Sequence, residues 1–567
     1  MPVKQWVLRD VNQQERVALA RSLSISPITA AVLLARGVTT EAQARAWLAP
    51  HLVAPHDPFL IPDMERAVDR LHRAMEDGER VCFYGDYDVD GMAATSLYLT
   101  YFRGQGGQVT TYIPHRVREG YGLNEAALRW LHGQGVSLVV TSDCGTTAHR
   151  EAEAAQRLGL DLIITDHHQC DERLPPALAL LNPHRPDSAY PFTGLCSGGL
   201  AYKVVRAYQD KYGPAGPEPE TLLDLVALAT VADIVPLHDE NRILVREGLG
   251  LVARGTRCGI RALKDVAGVG RDVTTGTVAF RLAPRINAAG RMEHAELGVR
   301  LLTTESEAEA RGIAEQLEQL NRTRQKLEEE ATTEAVAMVK AQENPEALTV
   351  WAKHWHLGVV GIVAARLVER FHRPAIVVAV NDQGIGKGSA RSVPGFDLYQ
   401  ALSACRDFLE AFGGHPCAAG LTIRESRLEP FRARFAEVAA QRTGDESKQP
   451  LLHLDAEVSL SEVNEQLVKE LALLHPFGAG NPEPTLAVRN LAILGSRVVG
   501  ERHLKLTVRH GNSRPFDSIG FRMGSLADCG LSSAQPVDLA FVPERNSWNG
   551  LERIQLRIRD LKASQPR

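Results

Sequence analysis

The chain contains no C-x-x-C pair: its eight cysteines, at positions 82, 144, 170, 196, 258, 405, 417 and 529, lie scattered without regular spacing. That pattern argues against a zinc ribbon and against a disulfide framework, so reduced thiols are expected. Nor is there a run of about 18 apolar residues, the length a membrane-crossing helix needs. The start, MPVKQWVLRD, lacks a charged segment leading into an apolar one, which is the pattern of an export signal. A soluble, cytoplasmic protein without a membrane partner is expected. Net charge is small as well: at a formal −5, the chain carries no overall footprint for a polyanion. Any contact with nucleic acid has to rest on local basic patches lining a groove.

What is present is an ordinary globular composition, 44% hydrophobic and 23% charged. Its 567 residues exceed the roughly 250–300 at which a single core stops growing, so about three or four domains are expected. Residues 1–75 read as short helices (EAQARAWLAP, MERAVDRLHRAM) joined by proline-rich turns. From residue 76 to 300 the texture changes. The apolar runs RVCFYG, QVTTYI, VSLVVTS and DLIIT alternate with the helix-like GMAATSLYLTYFR, NEAALRWLHGQ and TAHREAEAAQRLG, the alternation of βαβ units around a buried parallel sheet. Residues 301–343 form a long polar helical stretch whose apolar heptads are too sparse for a coiled coil, so an exposed connecting helix is expected. A smaller α/β domain is expected over 344–445. RTGDESKQP, 442–450, reads as a polar linker, and 451–567 as short strands closing a small β-barrel. The fold class expected is therefore α/β with a C-terminal barrel.

Ligands in open parallel sheets bind where the strands end in carboxyl-side loops, and acids stand at those points here. After VCFYG comes Asp86-Tyr87-Asp88-Val89-Asp90-Gly91; after LVVTS comes Asp143; after LIIT comes Asp166 followed by His167 and His168. Asp233 ends the apolar helix LLDLVALATVAD. An acid-and-histidine triplet on its own is common surface chemistry, but three consecutive strand ends with acids are hard to ascribe to solubility. Carboxylates with one or two imidazoles suit Mn²⁺ or Mg²⁺, and packing carboxylates together without a cation raises their pKa values. A pair of ions about 3.5–4 Å apart makes phosphoester hydrolysis the natural output. The competing reading of DYDVDG is a calcium loop, but an EF-hand needs a glutamate at its twelfth position and flanking helices, and neither condition holds.

In order and separation, YGDYDVDG (84–91), SDCG (142–145), TDHH (165–168) and ADIVP (232–236) resemble the motifs of the DHH phosphoesterase superfamily; GGHPCAAG (413–420) resembles the GGH motif of its companion DHHA1 domain. Within that superfamily APRINAAGRM (283–292), GVVGIVAARLVERFHRPAIVV (358–378), GSARSVPGFDL (388–398) and HPFGAGNPEP (475–484) are similar to the RecJ family of single-strand-specific 5′→3′ DNA exonucleases, over nearly the whole chain. The resemblance implies that Asp88, Asp90, Asp143, His167 and Asp233 ligate two Mn²⁺ or Mg²⁺ ions, with Asp143 as the bridge and Asp86 as a further ligand. Related phosphatases carry a histidine where Tyr84 stands, which leaves the first ion's ligand set open. His168 is implied as a ligand, an orienting group or a phosphate contact. His415 is implied to approach the scissile phosphate, with Gly413 and Gly414 letting the backbone come close; the alternative is a turn histidine.

The resemblance also suggests that Ser389 and Arg391 hold a 5′-terminal phosphate, against the alternative of a structural turn. Arg285 and Arg291 are placed where they hold the strand or narrow its entrance, or else serve as salt-bridge partners; Arg116 and Arg118 are weaker candidates of the same kind. Two lobes joined by a long helix imply a slot too narrow for duplex. The C-terminal segment is implied to be an OB-fold for single strands, although its aromatics are few: Phe477, Phe516, Phe521, Phe541 and Trp548. Single-stranded DNA, a single-strand-binding protein and a RecQ-type helicase are the implied partners, in recombination and mismatch repair, and a monomer is expected. Rival readings are a phosphoesterase of short oligoribonucleotides, cyclic dinucleotides or nucleotides, and a catalytically inert replication scaffold.

Overall fold

The computed structural model of the chain describes residues 4–49, 55–116, 118–214, 216–342, 345–442, 450–500, 502–527, 535–548 and 551–564. Two units emerge. One gathers the described residues of Pro55–Lys448 with Gly478–Gly480; the other gathers those of Met1–Ala54, Gln449–Phe477 and Asn481–Arg567. A boundary expected near residue 75 falls elsewhere, because the helix Met64–Glu76 turns Met64, Ala67, Val68 and Leu71 into the core of the first of these units.

That unit contains a five-stranded sheet in the order Val109–Tyr112, Arg80–Gly85, Val136–Ser142, Asp161–Thr165, Ala179–Leu181, with every pair parallel. The apolar runs are buried on both faces, which is why they show no alternation. On one face lies the helix Val89–Gly104. Phe83 of the strand stacks on Tyr98 at 5.0 Å and on Phe102 at 5.6 Å between ring centroids. Each such pair contributes roughly 1 kcal/mol beyond area burial, fixing the helix that begins at the DYDVDG loop. Gly91 permits the close fit: a Cβ there would stand 2.5 Å from the Asp86 backbone nitrogen. The helix Ser197–Tyr212 lies beside Val89–Gly104, against Val136–Ser142 and Asp161–Thr165, and Leu223–Ala232 packs behind both helices.

The long helix spans Glu307–Lys340, capped by the Ser306 side chain and separated from the preceding helix Glu296–Thr303. It connects two lobes, as the sequence suggested, but is not simply exposed. Ala310, Ile313, Ala314 and Leu317 join the core of the parallel-sheet lobe, whereas Ala331, Ala335, Val336 and Val339 join that of a second lobe. Its small and apolar residues serve two cores at two places, so no single heptad stripe is needed. The second lobe has a mixed sheet in the order Leu409–Gly414, Ala418–Arg424, Ile385–Arg391, Ala375–Val380, Leu348–Ala352.

The other unit contains a six-stranded sheet, five strands of which close into a barrel because Leu486–Val499 pairs with both His503–Arg509 and Val537–Trp548, while Ala456–Glu457 flanks Leu486–Val499. The strand Gln5–Leu8 pairs in parallel with Leu451–Leu454. Phe477, Phe516 and Phe541 are buried there, and Phe521 is exposed. The side chain of Trp548 and linker residues 443–449 lie outside the described residues, as does Cys529; the other seven cysteines are free thiols. Among the described residues no single helix is long and apolar enough to cross a membrane.

Candidate metal centre

The acids singled out at the strand ends gather at the carboxyl ends of the three central strands of the parallel sheet. Asp88 caps the helix Val89–Gly104 by accepting from the amides of Asp90 (2.9 Å) and Gly91 (3.2 Å). Asp143, directly after Val136–Ser142, adopts a left-handed φ of 68°, an uncommon backbone for a residue other than glycine. Tyr121 donates its hydroxyl to the Asp143 carbonyl at 3.0 Å. Asp233 is the C-cap of Leu223–Ala232.

The ligand atoms fall into three groups: Asp86, Asp88 and Asp143; Asp143, His167 and His168; and Asp90, His167 and Asp233. Asp143 joins the first to the second, and His167 joins the second to the third. The Nε2 of His167 stands 3.1 Å from Asp143 Oδ1, 3.5 Å from Asp233 Oδ2 and 3.7 Å from Asp90 Oδ2. Tyr84 belongs to none of the groups: its hydroxyl donates to the Gly122 carbonyl at 3.0 Å and accepts from Asn124.

Burial, compounded by neighbouring carboxylates, pushes Asp86 and Asp143 well above the ordinary range and Asp88 above it. Asp233 is pushed up to about 8 by burial and by the charges of Asp90 and Asp88. Burial lowers His167. One oxygen of Asp86 and one of Asp233 are buried with no hydrogen-bond partner. Orphaned acceptors and elevated carboxyl groups in one cluster are what a set of ligands for hard cations becomes without them, so these residues fit a divalent pair. His168 is held differently. Against the opposing effect of burial, its bond from Nδ1 to Asp166 Oδ1 (2.7 Å) raises it to about 9, and the same pairing outweighs burial to hold Asp166 at about 2. Thr146 donates its amide to the other Asp166 oxygen, so Asp166 orients His168.

The basic candidates divide. Arg285 is engaged structurally: Nε bonds Glu318 at 2.6 Å and Nη1 bonds the Arg281 carbonyl. The salt-bridge alternative therefore describes its guanidinium. Arg291 is depressed to about 10 by burial and by the positive charges of Arg116 and Arg324, with Arg391 adding to them; Nη1 reaches the Gly358 carbonyl of the second lobe at 3.3 Å. Burial and Arg116 depress Arg391, which donates to Ser389 Oγ at 2.9 Å. Arg116 lies over the Tyr87 ring, 4.8 Å from its centroid. Arg116, Arg291 and Arg391 thus form a cationic group near the acids, with Arg324 paired to Glu328 at 2.7 Å, whereas Arg118 is exposed. Gly413 and Gly414 end the strand Leu409–Gly414, paired with Gly420 and Ala419, and His415 opens the turn to Ala418–Arg424; all three are exposed. Gly414 has φ 144°, and a Cβ there would stand 2.4 Å from the Ala418 carbonyl, so the turn itself demands glycine. Gly413 meets no such restriction.

Several residues here carry no motif of metal chemistry. Ser197 and Gly198, at the start of Ser197–Tyr212, donate their amides to the two oxygens of Asp90 at 2.8 Å each. Asn287 accepts from the Val89 amide at 3.2 Å, and Gly290 packs against the Tyr87 carbonyl. The one available signal was a helix opening on SGG with no side-chain cap, which implies an acceptor from elsewhere.

Comparison with known proteins agrees with this layout. The profile of the DHH family, N-terminal domain, matches residues 80–230, that of the DHHA1 domain 344–441, and that of the RecJ OB domain 454–560. The single-stranded-DNA-specific exonuclease RecJ of Bacillus subtilis is 39% identical over 99% of this chain and 71% of its own length. That of Escherichia coli is 36% identical over 87% of this chain and 89% of its own. The crystal structure of Thermus thermophilus RecJ in complex with Mn²⁺ superposes with a TM-score of 0.85 at 30% identity, covering 99% of this chain and 80% of that one. Its Mg²⁺ complex gives 0.79 at 28% identity, over 99% and 79%. With the three domain profiles in order along the chain and identity sustained over nearly all of it, this protein belongs to the RecJ family.

Proposed function

We propose that this protein is a metal-dependent exonuclease that degrades single-stranded DNA from the 5′ end to mononucleotides by phosphodiester hydrolysis. The observation that carries the reading is the joining of three ligand groups through Asp143 and His167, in a chain whose relatives are named single-stranded-DNA-specific exonucleases. Asp86, Asp88, Asp90, Asp143, His167 and Asp233 would hold two divalent cations, Mn²⁺ or Mg²⁺, with Asp143 shared between them. When bound, such a pair supplies an activated water and neutralises charge developing on the phosphate.

The chain's own groups do the rest. His168, cationic through Asp166, presents a donor to a non-bridging phosphate oxygen. Arg391 and Ser389 hold the terminal phosphate, Arg291 and Arg116 guide the strand past the acids, and His415 approaches from the second lobe with Gly413 and Gly414 beside it. Strand holding by the barrel would depend steeply on salt. A monomer acting in the cytoplasm, with a single-strand-binding protein and a RecQ-type helicase supplying its 5′ ends in recombination and repair, completes the proposal.

The test is digestion of 5′- and 3′-labelled single strands, duplex and a dinucleotide with Mn²⁺, Mg²⁺ or chelator. Release of the 5′ label from long single strands only, abolished by chelator, supports the reading. Preference for the dinucleotide assigns the small-substrate class, and digestion undiminished in chelator overturns the metal mechanism.

A further inference from the structure

We infer that Ser197 is a positioning residue for the metal ligands, setting the orientation of Asp143 through its hydroxyl while its backbone holds Asp90. This rests on the reading of the acid cluster as a cation site. Ser197 is completely buried, the first residue of a 16-residue helix, and no local side chain caps that helix. Its free amides are met instead by Asp90, 107 positions earlier, whose Oδ2 accepts from Ser197 N and whose Oδ1 accepts from Gly198 N, both at 2.8 Å. The positive end of the helix thereby lies against one carboxylate of a crowded set. Ser197 Oγ turns to a second acid and donates to Asp143 Oδ1 at 3.2 Å, the oxygen that His167 Nε2 also approaches at 3.1 Å.

The amide contacts need no side chain, so the hydroxyl is what serine adds over alanine. An ionised carboxylate only accepts. A fixed donor on Oδ1 therefore selects one rotation of the Asp143 carboxyl and directs its remaining lone pairs towards the other ligands. Asp143 is common to two of the three ligand groups, so a loosened rotation is felt in both. Gly198 fixes the helix on its other side. A Cβ there would stand 2.4 Å from that of Ala229, on the helix that ends at Asp233. Ser197 thus lies where the elements bearing Asp90, Asp143 and Asp233 converge, and it touches two of those acids directly.

The test is a Mn²⁺ titration of the whole chain, followed by loss of the free-ion electron paramagnetic resonance signal, for the parent, Ser197→Ala and Ser197→Cys. The thiol keeps the volume and is a poor donor. The parent is expected to take up two ions. Both variants should bind at least one of them about 10–100-fold more weakly, the range for a lost partner of a metal ligand, with the metal-free thermal transition unchanged and strand binding in chelator retained. Constants within about twofold of the parent's in either folded variant overturn the inference. So does failure of both variants to fold, which would assign Ser197 to packing. A parent that takes up no ion pair overturns the cation-site reading itself, a separate outcome.

Discussion

Replacing Asp233 by asparagine should make the metal-free protein more stable at pH 8. The Asp233 carboxyl is raised from an ordinary 3.8 to about 8 by burial and by Asp90 and Asp88, so the folded state binds a proton that the unfolded state releases. The stability this group contributes is fully present below pH 3.8 and is lost as pH rises through about 8. Each pH unit in that window costs up to about 1.4 kcal/mol, a ceiling of about 5 kcal/mol by pH 8. Because 23% of the side chain is open to solvent and its neighbours titrate with it, local relaxation should leave about 2 kcal/mol. Asparagine removes the titration and keeps the shape, and the oxygen it replaces has no hydrogen-bond partner to lose. The assay is urea unfolding in chelator at pH 5 and pH 8. Two units imply more than one transition, and the relevant one is that which Mn²⁺ shifts in the parent. The variant should exceed the parent modestly at pH 5 and by more at pH 8, and gain less from Mn²⁺. A variant less stable than the parent at pH 8, or a parent that gains stability from pH 5 to 8 relative to the variant, would refute the reasoning.

Asp143→Ala should lower single-strand digestion by at least about 10³-fold while strand binding, measured by fluorescence anisotropy, persists; full activity would contradict the cluster's role. Gly290→Ala puts a Cβ 2.2 Å from the Tyr87 carbonyl and should displace the DYDVDG loop, reducing kcat about tenfold or more in a protein that still folds by circular dichroism. Ile234 is β-branched, 75% exposed and held at φ 61°. Ile234→Gly should therefore stabilise the fold by about 0.5–1 kcal/mol after glycine's own entropy is counted, seen as a raised melting transition.

The parallel sheet was legible because each strand is a short apolar run buried on both faces, and the acids stood directly after those runs at 86–90, 143 and 166. The barrel's strands were legible for a different local reason, short segments between turn residues whose buried and more open positions alternate, as in His503–Arg509 and Phe516–Gly520. What escaped depends on partners far along the chain. Gln5–Leu8 is a strand only because Leu451–Leu454 pairs with it, and four residues near a terminus carry no such signal. Arg285 looked like a candidate for holding a strand until Glu318, an acid of the long helix, occupied its guanidinium. That helix seemed exposed because its apolar positions serve two separate cores. Ser197 lies within an unremarkable SGG, and its importance comes wholly from two aspartates 107 and 54 positions away.

The central claim is that these side chains cage two cations together. Anomalous diffraction from crystals grown in Mn²⁺ tests it most directly. The account predicts two peaks about 3.5–4 Å apart, with Asp143 touching both and Asp88, Asp90, His167 and Asp233 completing the shells. A single peak, or peaks away from Asp143, would contradict it.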